Sequence, residues 1–326
     1  MSRWSSRIVE VKIGATKSEG GSRDKVIVVG GESDLPLFGS SEDIPHPPVI
    51  SMDVFDCKIP LPKVLKEPFS EVLEDPAEWA KLCVNKYGAD LISLHLVSTD
   101  PNVLDRSPKE AAKTVEEVLQ AVKVPLIIGG SGNPEKDPKV FEEVAKVAEG
   151  ERCLLASATL DVYKEIAAAA LAYGHSVVAF TPVDVNLAKH LNRMLMSMGL
   201  PPNRIVMDPT AASLGYGHEY SFSVIERIRL GGLQGDKDLQ MPILVGVTNA
   251  WGAREAWLKD PSLGPREYRG PIWEAVTGVT YLLAGADILM MMHPIAVSLV
   301  KRVINNVFRG EKIPTKEVHE WLKEVT

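Results

Sequence analysis

The sequence predicts a (β/α)8 barrel, the TIM-barrel architecture, on three observations. Eight apolar runs of strand length alternate strictly with eight segments of helix length. The runs are near-continuous in Val, Ile and Leu rather than alternating, the pattern of parallel strands buried on both faces. Eight consecutive units favour closure over the alternative, an open doubly wound sheet.

The expected strands are Val49–Val54, Asp90–Leu96, Pro125–Gly129, Cys153–Ala156, Ser176–Thr181, Arg204–Asp208, Pro242–Val247 and Asp287–Met291. Helices fill the intervals. Pro76–Tyr87 follows the cap Asp75, with Pro at the first helical position. Ser107-Pro108 repeats that signal for a helix to Val122, and Asp137-Pro138 repeats it for one to Gly150. Leu160–Tyr173, Val183–Met198, Glu219–Leu230, Pro271–Leu283 and Pro294–Phe308 complete the set. Three segments follow: residues 1–47 as an extension, 48–310 as the barrel and 311–326 as a C-terminal piece. In the first, Arg7–Ile13 and Lys25–Val29 read as a hairpin covering the barrel floor. In the last, Thr315 caps a short helix, Lys316–Val325.

Composition narrows the function. Charged residues are 24% and the net charge is −7, from 36 basic and 43 acidic residues. No basic run offsets that balance and aromatics are only 6%, which argues against a nucleic-acid partner. Cys57, Cys83 and Cys153 stand far apart. They form no disulfide framework, and they cannot hold a four-cysteine iron–sulfur cluster or a structural zinc. The N-terminus has no signal-peptide core, and the apolar stretch Tyr281–Met292 is too short to span a bilayer. A cytoplasmic, membrane-free protein is expected.

Chemistry in such barrels sits at the C-terminal strand ends. That rule selects Asp53, His95, the run Gly129 to Gly132 with Ser131, Ser157, Thr181, Asp184, Asp208, Thr210, Thr248, Asn249 and His293. The rim is polar, neutral and rich in hydroxyls. The glycine run follows a strand, so it is a tight turn or a cradle for phosphate. Asp208 is a general base or a cap for the next loop's amides. His95 and His293 read as hydrogen-bonded rim residues rather than metal ligands. No zincin spacing and no nucleophile elbow occur. Between Pro209 and Pro242 the connection is longer than a plain βα unit needs, and Gly215 and Gly217 flank Tyr216 where the backbone could approach a flat partner.

That connection carries GYGHEYSFSVIERIRLGGLQGDK (Gly215–Lys237), followed by MPI at Met241–Ile243. With GATKSEGGSRDKVIVVGG (Gly14–Gly31), PVISMDVFD (Pro48–Asp56), NKYGADLISLHL (Asn85–Leu96) and GADILMMMHPIAV (Gly285–Val297), it resembles the small (delta) subunit of the corrinoid iron–sulfur protein of the acetyl-CoA decarbonylase/synthase system, over residues 7 to 309. The resemblance implies a TIM barrel in a heterodimer with a large subunit that supplies a [4Fe–4S] cluster and most of the cobalamin site. It implies a methyl group taken from a methylated tetrahydropterin or folate onto cobalt and passed to the nickel site of acetyl-CoA synthase. Methyltransferase and acetyl-CoA synthase subunits would be transient partners.

On this reading the strand-end residues, with Asn186, Gly215, Tyr216 and Gly217, meet the cobalamin shared with the large subunit, and the chain is not catalytic alone. A free-standing pterin-dependent methyltransferase is the alternative. It would use Asp53, Asp184, Asn186, Asp208 and Asn249 to read the pterin edge. An aldolase-type barrel would need a Lys near a strand end, and none lies there in the second to eighth strands.

Overall fold

The computed structural model describes residues 4–311 apart from 37, 39–41 and 211. The expected helix Lys316–Val325 lies outside the described residues. The chain opens with β1 (Val11–Ile13) and β2 (Ile27–Val29), paired antiparallel with Val11 opposite Val29. Both are shorter than expected, although Ile8 continues the pairing by donating its N–H to Glu32 and accepting from Gly31.

The barrel strands are β3 (Val49–Phe55), β4 (Leu91–His95), β5 (Leu126–Gly129), β6 (Leu154–Ala158), β7 (Ser176–Phe180), β8 (Ile205–Asp208), β9 (Leu244–Gly246) and β10 (Ile288–Met291). All are parallel, in the order β8-β7-β6-β5-β4-β3-β10-β9. A parallel bridge between Met207 and Ile243 joins the two ends, so the sheet closes and the open-sheet alternative falls.

The helices are α1 (Lys63–Lys66), α2 (Pro76–Asn85), α3 (Pro108–Ala121), α4 (Asp137–Val147), α5 (Tyr163–Tyr173), α6 (Val185–Ser197), α7 (His218–Leu233), α8 (Arg266–Ala284) and α9 (Pro294–Phe308). Asp75 caps α2 through Ala77 N and Glu78 N, and Ser107 with Glu110 forms a capping box on α3. Helix starts differ from expectation in detail: α5 begins at Tyr163 rather than Leu160, and α6 at Val185 rather than Val183. α8 begins at Arg266, so Pro271 lies within the helix. As the sixth helical residue it lies beyond the four N–H groups that lack intrahelical partners, so the helix gives up one i→i−4 bond there. α4 starts at Asp137, but the carboxylate does not cap it; its acceptors serve the preceding loop, described below.

Two apolar layers follow from the parallel sheet. The outward strand residues pack against the helices in the main core, including Trp79, Phe69 and Phe141. Inside the barrel, one apolar residue from every strand, from Val49 round to Ile288, packs with Val11, Ile13, Ile27 and Val29. The hairpin therefore plugs the floor. An ion cluster stitches the extension in place: fully buried Arg229 on α7 reaches Glu32 at 3.1 Å and Asp287 at 2.5 Å.

Candidate functional site

Above the apolar floor the barrel interior turns polar by strand periodicity. Along β3, Val49, Ser51 and Asp53 share the inward face, and Ser51 bonds Ser93 of β4 at 2.7 Å. At the C-terminal strand ends the barrel opens into a cavity of about 590 Å³, within the range of small-molecule sites.

His95 lines this cavity, with its Nε2 3.1 Å from Asp53 Oδ1 and its ring stacked 5.0 Å from Phe55. The other oxygen of buried Asp53 accepts the Thr248 hydroxyl. The imidazole is thus held from three sides, by a carboxylate, an aromatic ring and Gly129, where a Cβ would come within 3.0 Å of Nδ1. Asp208, at the end of β8, accepts the Thr210 amide at 3.0 Å and the Thr210 hydroxyl. Thr210 Oγ1 in turn accepts Gly246 N from the neighbouring strand. Burial lifts the Asp208 carboxyl to about 6, against the lowering effect of the Thr210 donors. Both sequence readings of Asp208 keep a footing: it does cap the next loop, and it titrates where a proton carrier would.

The glycine run is a turn. Asp137 accepts Ser131 N at 2.9 Å, Ser131 Oγ at 2.8 Å and Gly132 N at 2.8 Å, while Gly130 N donates to Ala156 O. These amides are occupied, so the phosphate-cradle alternative falls. A Cβ on Gly130 would sit 2.5 Å from the Asp137 carboxylate, which is why glycine stands there.

Of the fifteen residues selected from the sequence, His95, Ser131, Ser157, Asp208 and Asn249 line the cavity. Asp53, Thr210 and Thr248 lie one hydrogen bond behind its wall. The rest are not brought there. Asp184 is exposed and caps α6 through Leu187 N, and Asn186 is exposed beside it. Thr181 is buried with an unpartnered hydroxyl, outside the lining. His293 caps α9 through Ile295 N, stacks on Trp251, and is held to about 4 by burial, hence neutral. Tyr216 is exposed and donates to Glu255 at 2.7 Å. Gly215 and Gly217 both have positive φ, 79° and 88°, so their own backbone demands glycine.

Phe180 and Met290 line the cavity without having been selected. Inward alternation along each strand would have found them, since Phe180 and Met290 lie two residues beyond the inward-facing Val178 and Ile288. Glu274 was also missed. Fully buried on α8, it accepts Met292 N at 2.5 Å, His293 N at 2.9 Å and Trp251 Nε1 at 2.9 Å. No sequence signal marks a mid-helix Glu as buried.

A closed parallel barrel, plugged at its floor and open at the strand ends onto a polar cavity, is a TIM-barrel protein. Solved structures share the fold: dihydropteroate synthase of Thermus thermophilus is 17% identical with a TM-score of 0.52, covering 90% of this chain and 97% of that one. The Yersinia pestis enzyme with a sulfonamide drug is 15% identical with a TM-score of 0.55, covering 81% and 95%. Residues 10–260 match the family model described as CO dehydrogenase/acetyl-CoA synthase delta subunit, and this chain belongs to that family. The acetyl-CoA decarbonylase/synthase complex subunit delta of Methanocaldococcus jannaschii is 53% identical over 98% of this chain and 79% of its own length. That of Archaeoglobus fulgidus is 53% identical over 98% and 72%, and that of Methanosarcina mazei 51% over 99% and 76%. The resemblance read from the motifs therefore stands. No described helix is long and apolar enough to cross a membrane.

Proposed function

We propose that this chain is the small subunit of a corrinoid iron–sulfur methyl carrier, and that its mouth closes over cobalamin held mainly by a larger partner. One observation carries the reading: the mouth offers neutral polar groups with capacity to spare. The side chains of Ser157 and Asn249 line the cavity and make no hydrogen bond within the described residues. The carboxylates nearby are already engaged, Asp137 by three loop donors, Asp53 by His95 and Thr248, and Asp208 by Thr210. Amide-bearing corrin side chains need this kind of neutral partner. A corrinoid exceeds a drug-sized ligand, so a cavity of about 590 Å³ would cap it rather than engulf it.

Cobalamin, when bound, supplies the cobalt that carries a methyl group. The chain's own residues position and shield. Ser157 and Asn249 would orient the corrin rim, Phe180 and Met290 would exclude water, and Asp53 would hold the His95 ring in one orientation. The methyl donor would be a methylated tetrahydropterin or folate, and the acceptor the nickel site of an acetyl-CoA synthase subunit, met transiently. The cluster belongs to the larger subunit on this reading. Cys57, Cys83 and Cys153 are buried free thiols, burial pushes the Cys153 thiol up to about 12, and no metal-holding group occurs among the described residues.

The test is titration of the cobalamin-loaded large subunit with this chain, followed by corrin absorbance and by sizing. A one-to-one complex with a perturbed corrin spectrum is expected, and Ser157→Val with Asn249→Leu should weaken it. Two separate peaks at micromolar concentrations overturn the reading.

A second reading, a pterin-dependent methyltransferase, is favoured by one feature: Asp208 and Asn249 share the cavity wall. The isolated chain would then bind methyltetrahydrofolate.

A further inference from the structure

A second cavity lies at the opposite end of the barrel, between the N-terminal extension and the floor. Its volume is about 810 Å³, and Arg7, Lys12, Arg152 and Arg204 converge on its wall. The chain as a whole is acidic, at −7, so four cations around one cavity run against the composition. The acids on the same wall do not balance them. Glu19 pairs with Arg152 at 3.2 Å, and Glu10 is 3.0 Å from His46. Arg204 donates only to the backbone carbonyls of Ala170 and His175, and Arg7 and Lys12 form no ion pair among the described residues. Burial, and then the Arg152 guanidinium, push Arg204 below the ordinary arginine value, as expected for two like charges facing one space.

A second, independent feature points to a ligand. Ser176, the first residue of β7, lines the cavity, is fully buried, and has a hydroxyl with no partner. A buried hydroxyl left unpaired costs about 1–3 kcal/mol, so such groups in folded chains usually meet something. The guanidinium N–H groups not used in hydrogen bonds among the described residues, on Arg204 Nη1 and Arg152 Nη2, with two exposed cations and a hydroxyl, match the oxygens of a phosphate better than a single carboxylate.

We propose that this floor cavity is a second ligand site, for a small molecule bearing a phosphate or diphosphate group. It lies at the other end of the barrel from the mouth and does not depend on the corrinoid reading.

The test uses the full chain at low ionic strength, with sodium diphosphate and ADP as separate probes in calorimetric titration and thermal melting. Saturable binding is expected, with a melting midpoint that rises with probe concentration. Arg7→Glu combined with Lys12→Glu should weaken binding at least about tenfold. Both side chains are exposed, so the melt without probe should stay unchanged. Ser176→Ala should weaken binding by about two- to fivefold, the worth of one neutral hydrogen bond. It also carries the test if the double variant fails to fold. Reversal of Lys109 and Lys146, exposed and outside the cavity, should change nothing. Tighter diphosphate than ADP identifies the free anion as the ligand, and the reverse order identifies a phosphorylated metabolite. No saturable binding of either probe below about 1 mM, or equal losses in the Lys109/Lys146 control, overturns the proposal.

Discussion

Asp208 keeps its proton to about pH 6 because it is buried, whereas in the unfolded chain it releases it near 3.8. Between those values the folded state binds the extra proton, so stability falls as pH rises through that window and stays lower above it. The difference corresponds to about 3 kcal/mol as an upper bound. Asp208→Asn keeps an acceptor for Thr210 and removes the ionisation. Urea unfolding should therefore show the variant more stable than the parent by on the order of 2 kcal/mol at pH 7.5, with the gain absent at pH 4. Equal effects at both values would mean that the carboxylate ionises without penalty. Gly217 makes a different case at the same scale. Its φ of 88° asks any L-residue for about 1–2 kcal/mol, and an added Cβ would meet Tyr220 at 3.2 Å. Gly217→Ala should lower the melting midpoint of the free chain by a matching amount. A loss of partner affinity beyond that would show that the loop also touches the partner.

Between elements, the most exacting joint is that of α8 with the β10–α9 turn, where Glu274 satisfies two backbone amides and an indole. Burial lifts its carboxyl to about 7, although all three donors oppose the shift. Glu274→Ala leaves those donors buried and unpaired, and should cost about 3 kcal/mol or more in chemical denaturation, the sum of several desolvation penalties. The loop after β5 depends likewise on Asp137. Asp137→Ala should abolish the hydrogen-exchange protection of the Ser131 and Gly132 amides while leaving that of β5 intact. The strands were readable because apolar runs in a parallel sheet carry their own boundaries, and Asp75, Ser107 and Gly174 marked helix ends by capping chemistry that is local in sequence. Asp137 was misread as a cap because the same residue pair, Asp-Pro, can aim its carboxylate backwards into a preceding turn. Pro271 was misread as a start because no local signal reports a proline accommodated one turn inside a helix. The site was readable only in part. Strand ends located His95, Asp208 and Asn249, whereas convergence on one cavity is a property of barrel closure and excluded Asp184, Asn186 and the Tyr216 loop.

For the whole molecule, Arg229 ties the extension, α7 and the last strand together without access to water. Burial, followed by the neighbouring Asp287, raises the Glu32 carboxyl well above its ordinary value, and the Arg229 guanidinium opposes that shift. Removing the cation alone strands Asp287: Arg229→Ala should cost about 3–5 kcal/mol. Arg229→Met together with Glu32→Gln and Asp287→Asn should recover much of that in the same melting assay. If the single and triple variants melt alike, the cluster contributes through packing and not through charge.

The floor plug has a consequence for how the chain is made. Val11 and Ile13 are made before any barrel strand, yet their apolar partners include Val206, Leu244 and Ile288, and the last of these follows only after the other seven barrel strands. The hairpin segment must therefore wait as an unprotected apolar ribbon until the ring of strands exists to receive it, a long-range pairing of the slow kind. Its docking would report that the ring has closed. Folding intermediates caught by a chaperone should be those with residues 4–36 still outside, and a bulky tag fused at the N-terminus should delay the last step of maturation without touching the mouth.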